Sequence, residues 1–153
     1  MTDAPAPSAV PADDAVPRVA ILGAGGKMGR HAVPAVREAA ALELVAELGS
    51  ADPLEAILDA GATHVLDLTV PDVSPRNAAF AVEHGLHTVI GTSGWGPERR
   101  EALAAQLAEH PGVGVLIAPN FSVGSVLASA FAAKAARCLL YTSDAADEED
   151  SVD

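Results

Sequence analysis

Arg18-Val-Ala-Ile-Leu-Gly-Ala-Gly-Gly-Lys-Met-Gly29 joins a short apolar strand to a glycine cluster and then to a helical pattern. That order builds a phosphate cradle. Gly23 permits the tight turn off the strand. Gly25 and Gly26 leave bare backbone that a pyrophosphate can approach, and Gly29 lets the helix pack closely against the strand. The helix N-terminus then offers unpaired N–H groups and the positive end of a dipole. The spacing departs from the common G-x-G-x-x-G. It is G-x-x-G-x-x-G through Gly23, Gly26 and Gly29, or G-x-G-x-x-x-G through Gly25. A strand-to-helix turn without a ligand satisfies the same glycines, so the surrounding sequence has to decide.

Downstream, strand and helix signals alternate. Strands are expected at Arg18–Leu22, Leu42–Leu48, His64–Leu68, Thr88–Ile90 and Gly114–Ile117. All are short and rich in Val, Leu and Ile, as in a parallel sheet buried on both faces. The first helix is expected from Lys27 to about Ala41, with Pro34 inside it to kink it. Asp52-Pro53 and Ser74-Pro75 each have the form of an N-cap followed by proline. Gly61 and Gly85 stop the helices that follow. Gly96-Pro97 opens a helix to about Glu109, and a last one is expected from Val123 to Arg137. The repeated βα order predicts an α/β fold, a Rossmann-like, doubly wound parallel sheet of about five strands with helices on both faces.

The ends of the chain differ from this middle. Residues 1–17 are Ala, Pro, Asp and Ser without a hydrophobic period, and are expected to be a disordered leader. Residues 138–153 carry six acids and no Lys or Arg. An acidic tail is one interpretation. The run also resembles translated sequencing-adapter read-through, which implies a non-native end on a truncated chain.

Composition narrows the function. The 153 residues suffice for one domain, with 50% hydrophobic but only 3% aromatic residues. The net charge is −12, and without the six tail acids 15 acids face 9 bases, leaving −6. Such a balance argues against a nucleic-acid surface. No apolar run reaches membrane-spanning length, and no secretory signal opens the chain. A single cysteine, Cys138, precludes an internal disulfide and fits the cytoplasm. The five histidines have no ligand spacing, so no metal site is expected, and Ser93 and Ser122 have no evident histidine partner for nucleophilic catalysis.

In a doubly wound sheet, ligands bind beyond the carboxyl ends of the strands. Five segments lie there: Gly23–Gly29, Glu47–Asp52, Asp67–Asp72, Gly91–Trp95 and Ala118–Gly124. Four carry a family resemblance. Gly23-Ala-Gly-Gly-Lys-Met-Gly29, Leu66-Asp-Leu-Thr-x-Pro-Asp72, Val89-Ile-Gly-Thr-Ser-Gly94 and Ala118-Pro-Asn-Phe-Ser-Val-Gly124 resemble the N-terminal part of the 4-hydroxy-tetrahydrodipicolinate reductases, also called dihydrodipicolinate reductases. The likeness covers about residues 18–137. Leu44-Val-Ala-Glu-Leu48 and Asp52-Pro-Leu54 are closest to the actinobacterial branch.

The resemblance implies reduction of a cyclic dicarboxylate by NADPH or NADH in diaminopimelate and lysine biosynthesis, by a homotetramer. It places Gly23, Ala24, Gly25, Gly26, Lys27 and Met28 at the cofactor pyrophosphate. Gly91, Thr92 and Ser93 would lie beside the nicotinamide, and Ala118, Pro119, Asn120 and Phe121 at its carboxamide side. Position 49, normally an acid facing the ribose, is Gly49 here, and Asp52 is expected to be occupied as an N-cap, so NADH or NADPH preference is not legible. Leu68 stands where the family favours Phe. The family's catalytic His-His pair, Lys and Pro-Ser-Gly-Thr run are absent from the sequence, so no catalytic residue is assigned and the substrate and tetramerisation domain is expected to be absent from this chain. A fragment of another nicotinamide-dependent enzyme, such as an aspartate or homoserine dehydrogenase, or a non-catalytic nucleotide- or CoA-binding module, remains an alternative.

Overall fold

The computed structural model describes residues 16–118 and 123–142. The expected tail lies outside these from 143 onward, as does the leader up to residue 15. Pro17, at the leader's end, is tied to the sheet: its carbonyl accepts the Glu43 N–H at 2.9 Å.

Five parallel strands form one sheet in the order β2-β1-β3-β4-β5. They are β1 (Arg18–Leu22), β2 (Glu43–Leu48), β3 (His64–Asp67), β4 (His87–Ile90) and β5 (Val115–Ile117). Between and after them run α1 (Gly29–Glu38), α2 (Ala56–Asp59), α3 (Ser74–Glu83), α4 (Pro97–Glu109) and α5 (Val123–Thr142). The doubly wound architecture is therefore as the sequence predicts. Alternation along β1 divides the core. Val19 and Ile21 pack under α1 with Val36, whereas Ala20 and Leu22 face Ile57 of α2 and Ala81 of α3. Farther along that second face, Ile90 meets Ala78, Val82 and Leu103 beneath α3 and α4. Cover on the first face is uneven. Leu116 of β5 remains 59% exposed, and the described side chains of α5 are all exposed.

Several local expectations change. α1 is shorter than predicted, beginning at Gly29 and ending at Glu38, with Pro34 inside it. Asp52 caps no helix, because α2 starts only at Ala56 after a turn through Pro53. Its carboxylate instead accepts the Gly49 N–H at 2.7 Å. Ser74 is the first residue of α3 rather than its cap. It is fully buried, and its hydroxyl accepts the Trp95 indole N–H at 3.2 Å, a tertiary bond that outweighs local capping. α5 extends to Thr142, five residues past the expected break at Arg137. Gly61 and Gly85 have positive φ after their helices, as expected of stops.

β3 and β4 bring His64 and His87 into register with their rings stacked 4.9 Å apart. The Gly114 N–H donates to His87 Nδ1 at 3.0 Å. Burial first, and then the charge of His87, holds the His64 pKa below its ordinary 6.5. The folded chain thus binds this proton less readily than the unfolded chain. The contribution of His64 to stability is complete above about pH 6.5 and is lost as pH falls through the lowered folded value. Melting temperature should fall on acidification from about pH 7.5 to 5, and His64→Asn should flatten that fall. Parallel pH profiles of variant and parent would contradict the assignment.

Candidate functional site

Along the carboxyl edge of the sheet the strand ends follow the strand order: Gly49, Gly23, Leu68, Gly91, Ala118. The chain winds outward in opposite senses from β1 and β3, so the switch point lies between them. A crevice of about 630 Å³ opens there, lined by Gly23, Gly25, Gly26, Gly49, Thr69 and Asn77 among others. Its size falls within the range of small-molecule sites.

Backbone bonds shape the glycine loop. Gly23 has φ +76°, and a Cβ on it would lie 2.8 Å from the Leu68 carbonyl oxygen. The Gly23 and Ala24 N–H groups both donate to the Leu48 carbonyl, at 2.8 and 3.1 Å, while the Gly26 N–H donates to the Gly23 carbonyl at 2.9 Å. Those three groups are spent within the protein. Among the described residues, the N–H groups of Gly25, Lys27 and Met28 have no such partner. The unpaired set at the start of α1 is therefore half of what the sequence assigned. Arg30, not singled out from sequence, braces the loop by donating to the Gly25 carbonyl at 2.9 Å. Gly29 meets the loop itself rather than the strand: a Cβ there would lie 2.2 Å from the Gly23 oxygen. Lys27 is exposed, and Met28 turns to the opposite side, lining a smaller apolar groove with Leu66 and Val89.

The next strand ends are tied to one another. Asp67 is fully buried, and its Oδ1 accepts the Thr69 N–H at 2.9 Å and the Thr69 hydroxyl at 2.5 Å. Asn77 donates to that hydroxyl at 3.2 Å. Asp67 Oδ2 has no partner among the described residues. The Thr92 hydroxyl donates to the Thr69 carbonyl at 3.0 Å, and the Gly91 N–H to the Asp67 carbonyl at 2.9 Å. Gly91 and Thr92 are thus buried and internally bonded, leaving Ser93 as the exposed member of that segment. The Ala118 N–H closes onto Ile90 at 2.8 Å. Pro119, Asn120 and Phe121 lie outside the described residues. No group of His, Cys, Asp or Glu suited to a metal occurs among the described residues, and no described helix is long and apolar enough to cross a membrane.

A glycine-floored crevice at the switch point is common to many proteins of this fold, so the decisive observation is a match over sequence. Residues 17–121 match the model of the dihydrodipicolinate reductase N-terminus. The chain belongs to this family. The 4-hydroxy-tetrahydrodipicolinate reductase of Streptomyces griseus is 52% identical over 120 residues, covering 78% of this chain and 48% of that protein. That of Mycobacterium marinum is 45% identical over 119 residues, covering 78% and 49%. The chain thus spans about half the length of these relatives. A dipicolinate-bound dihydrodipicolinate reductase from Paenisporosarcina superposes with a TM-score of 0.70 at 28% identity, over 80% of this chain and 54% of that one. A myo-inositol 2-dehydrogenase from Lactobacillus plantarum shares the fold alone, with a TM-score of 0.55 at 18% identity over 65% and 35% of the two chains. The actinobacterial relatives agree with the branch suggested by the β2 segment.

Proposed function

We propose that this chain is the cofactor-binding half of a 4-hydroxy-tetrahydrodipicolinate reductase, which binds NADH or NADPH across its carboxyl edge. The observation that carries this is the switch-point crevice with three unpaired loop N–H groups at the start of α1. The residues fit a dinucleotide: the floor is bare backbone, and a Cβ at Gly25 would meet nothing within 4 Å. The Gly25, Lys27 and Met28 N–H groups would hold the pyrophosphate, and Lys27 would add a screened positive charge. Gly23, Ala24 and Gly26 shape the loop. Gly91, Thr92 and Ser93 would border the nicotinamide, and Ala118, Pro119, Asn120 and Phe121 its carboxamide side. When bound, the nicotinamide supplies the hydride, and the protein supplies position and electrostatics.

The substrate is then the small cyclic dicarboxylate named by the relatives, and the full-length assembly a homotetramer. The 153 residues contain neither a His-His pair nor a Pro-Ser-Gly-Thr run. Alone, they are expected to bind cofactor without turning over substrate. Calorimetric titration with NADH, NADPH and CoA tests the first part. Binding of a nicotinamide dinucleotide but not CoA supports it, and binding of CoA alone overturns it. Turnover by the purified chain would refute the second part.

A further inference from the structure

We propose that Asp52 replaces the absent side chain of residue 49 as the acceptor for the adenosine ribose hydroxyl, and that the chain thereby prefers NADH to NADPH. This rests on the cofactor assignment above and deepens it. In this fold the residue closing β2 meets the ribose, and an acid there accepts its 2′-hydroxyl. Here that residue is Gly49, which lines the crevice without a side chain.

The chain restores the carboxylate from three residues on. Asp52 folds back so that Oδ2 accepts the Gly49 N–H at 2.7 Å. The same oxygen lies 3.6 Å from where a Cβ on Gly49 would stand, ordinary contact distance. An acid therefore borders the space that a side chain at 49 would enter. Asp52 itself lines the crevice and is exposed to it. One backbone bond leaves most of a carboxylate's acceptor sites free. The Gly49 bond is made by Oδ2 and does not engage Oδ1.

Charge sets the direction. A carboxylate accepts from a ribose diol but repels a 2′-phosphate. Glu55 lines the same crevice and adds to that repulsion. Arg76 is the opposing group. It lines the crevice from α3, and among the described residues it has no ion pair. Asp52 is held beside the β2 terminus by a defined bond, whereas Arg76 reaches the crevice from α3 without an ion pair among the described residues.

Asp52→Asn decides between them, because the amide oxygen still accepts the Gly49 N–H and preserves the turn. Calorimetric Kd values for NADH and NADPH should show the parent preferring NADH. Asp52→Asn should weaken NADH about tenfold while leaving NADPH unchanged or tighter, with an unaltered melting temperature. Arg76→Ala should leave the NADH Kd within about twofold. Equal loss of both dinucleotides in Asp52→Asn overturns the proposal. So does a parent preference for NADPH that Arg76→Ala abolishes. If the parent binds neither dinucleotide, the cofactor assignment itself fails and takes this inference with it.

Discussion

Gly29→Ala is expected to lower stability by about 3 kcal/mol, or about 10 °C in melting temperature. The added methyl would stand 2.2 Å from the Gly23 carbonyl oxygen and 2.5 Å from that of Ala24. Both are backbone atoms, so no rotamer change relieves the overlap. The loop is itself pinned to Leu48 and cannot retreat without losing two hydrogen bonds. The relief available is to pull α1 off the loop, which exposes Val36 and the core beneath it. Differential scanning calorimetry of the variant measures the loss. A melting temperature equal to the parent's would show that the turn is far softer than its geometry indicates.

Gly25→Val is expected to do the opposite, remaining folded while losing dinucleotide affinity by about 100-fold or more. A Cβ at this position meets no atom within 4 Å, and the position does not require a left-handed backbone. The branched side chain would project into the crevice beside one of the three unpaired N–H groups. Titration with NADH and NADPH, alongside a melting curve, separates binding from stability. An unchanged Kd in a well-folded variant would remove the pyrophosphate from this loop. Position 26 gives a less clean test, since a Cβ there would already lie 3.1 Å from the Gly23 oxygen and disturb the turn.

The strands were legible because a parallel sheet covered by helices writes each strand as a short run rich in Val, Leu and Ile. β1 matches its expected bounds, and the others differ by a residue at one end or the other. Caps were less legible. Asp52 and Ser74 have the right chemistry and a following proline, yet each bonds elsewhere: one to its own preceding turn, the other to an indole 21 residues away. Local preference of about 1 kcal/mol yields to such contacts. Within the site, the glycines and strand ends could be read, but the allocation of N–H groups could not. Gly26 and Lys27 are adjacent, and only the fold shows that one N–H is spent and the other unpaired. Thr69 and Asn77 likewise meet through a bond between neighbouring elements that no spacing announces.

The Leu48 carbonyl has a further significance. It anchors the glycine loop through two N–H groups, and carbonyl and amide alike belong to the main chain. Every amino acid at position 48 supplies that oxygen, and every one except proline at 23 and 24 supplies those donors. The anchor is thus indifferent to side-chain identity. Tolerance to mutation is then uneven along the loop: residues that only contribute main-chain bonds can drift, while Gly23, hemmed in by the Leu68 and Thr69 main chain, and Gly29, hemmed in by that of Gly23 and Ala24, cannot. Divergence in this segment is constrained by what must be left out rather than by what must be present.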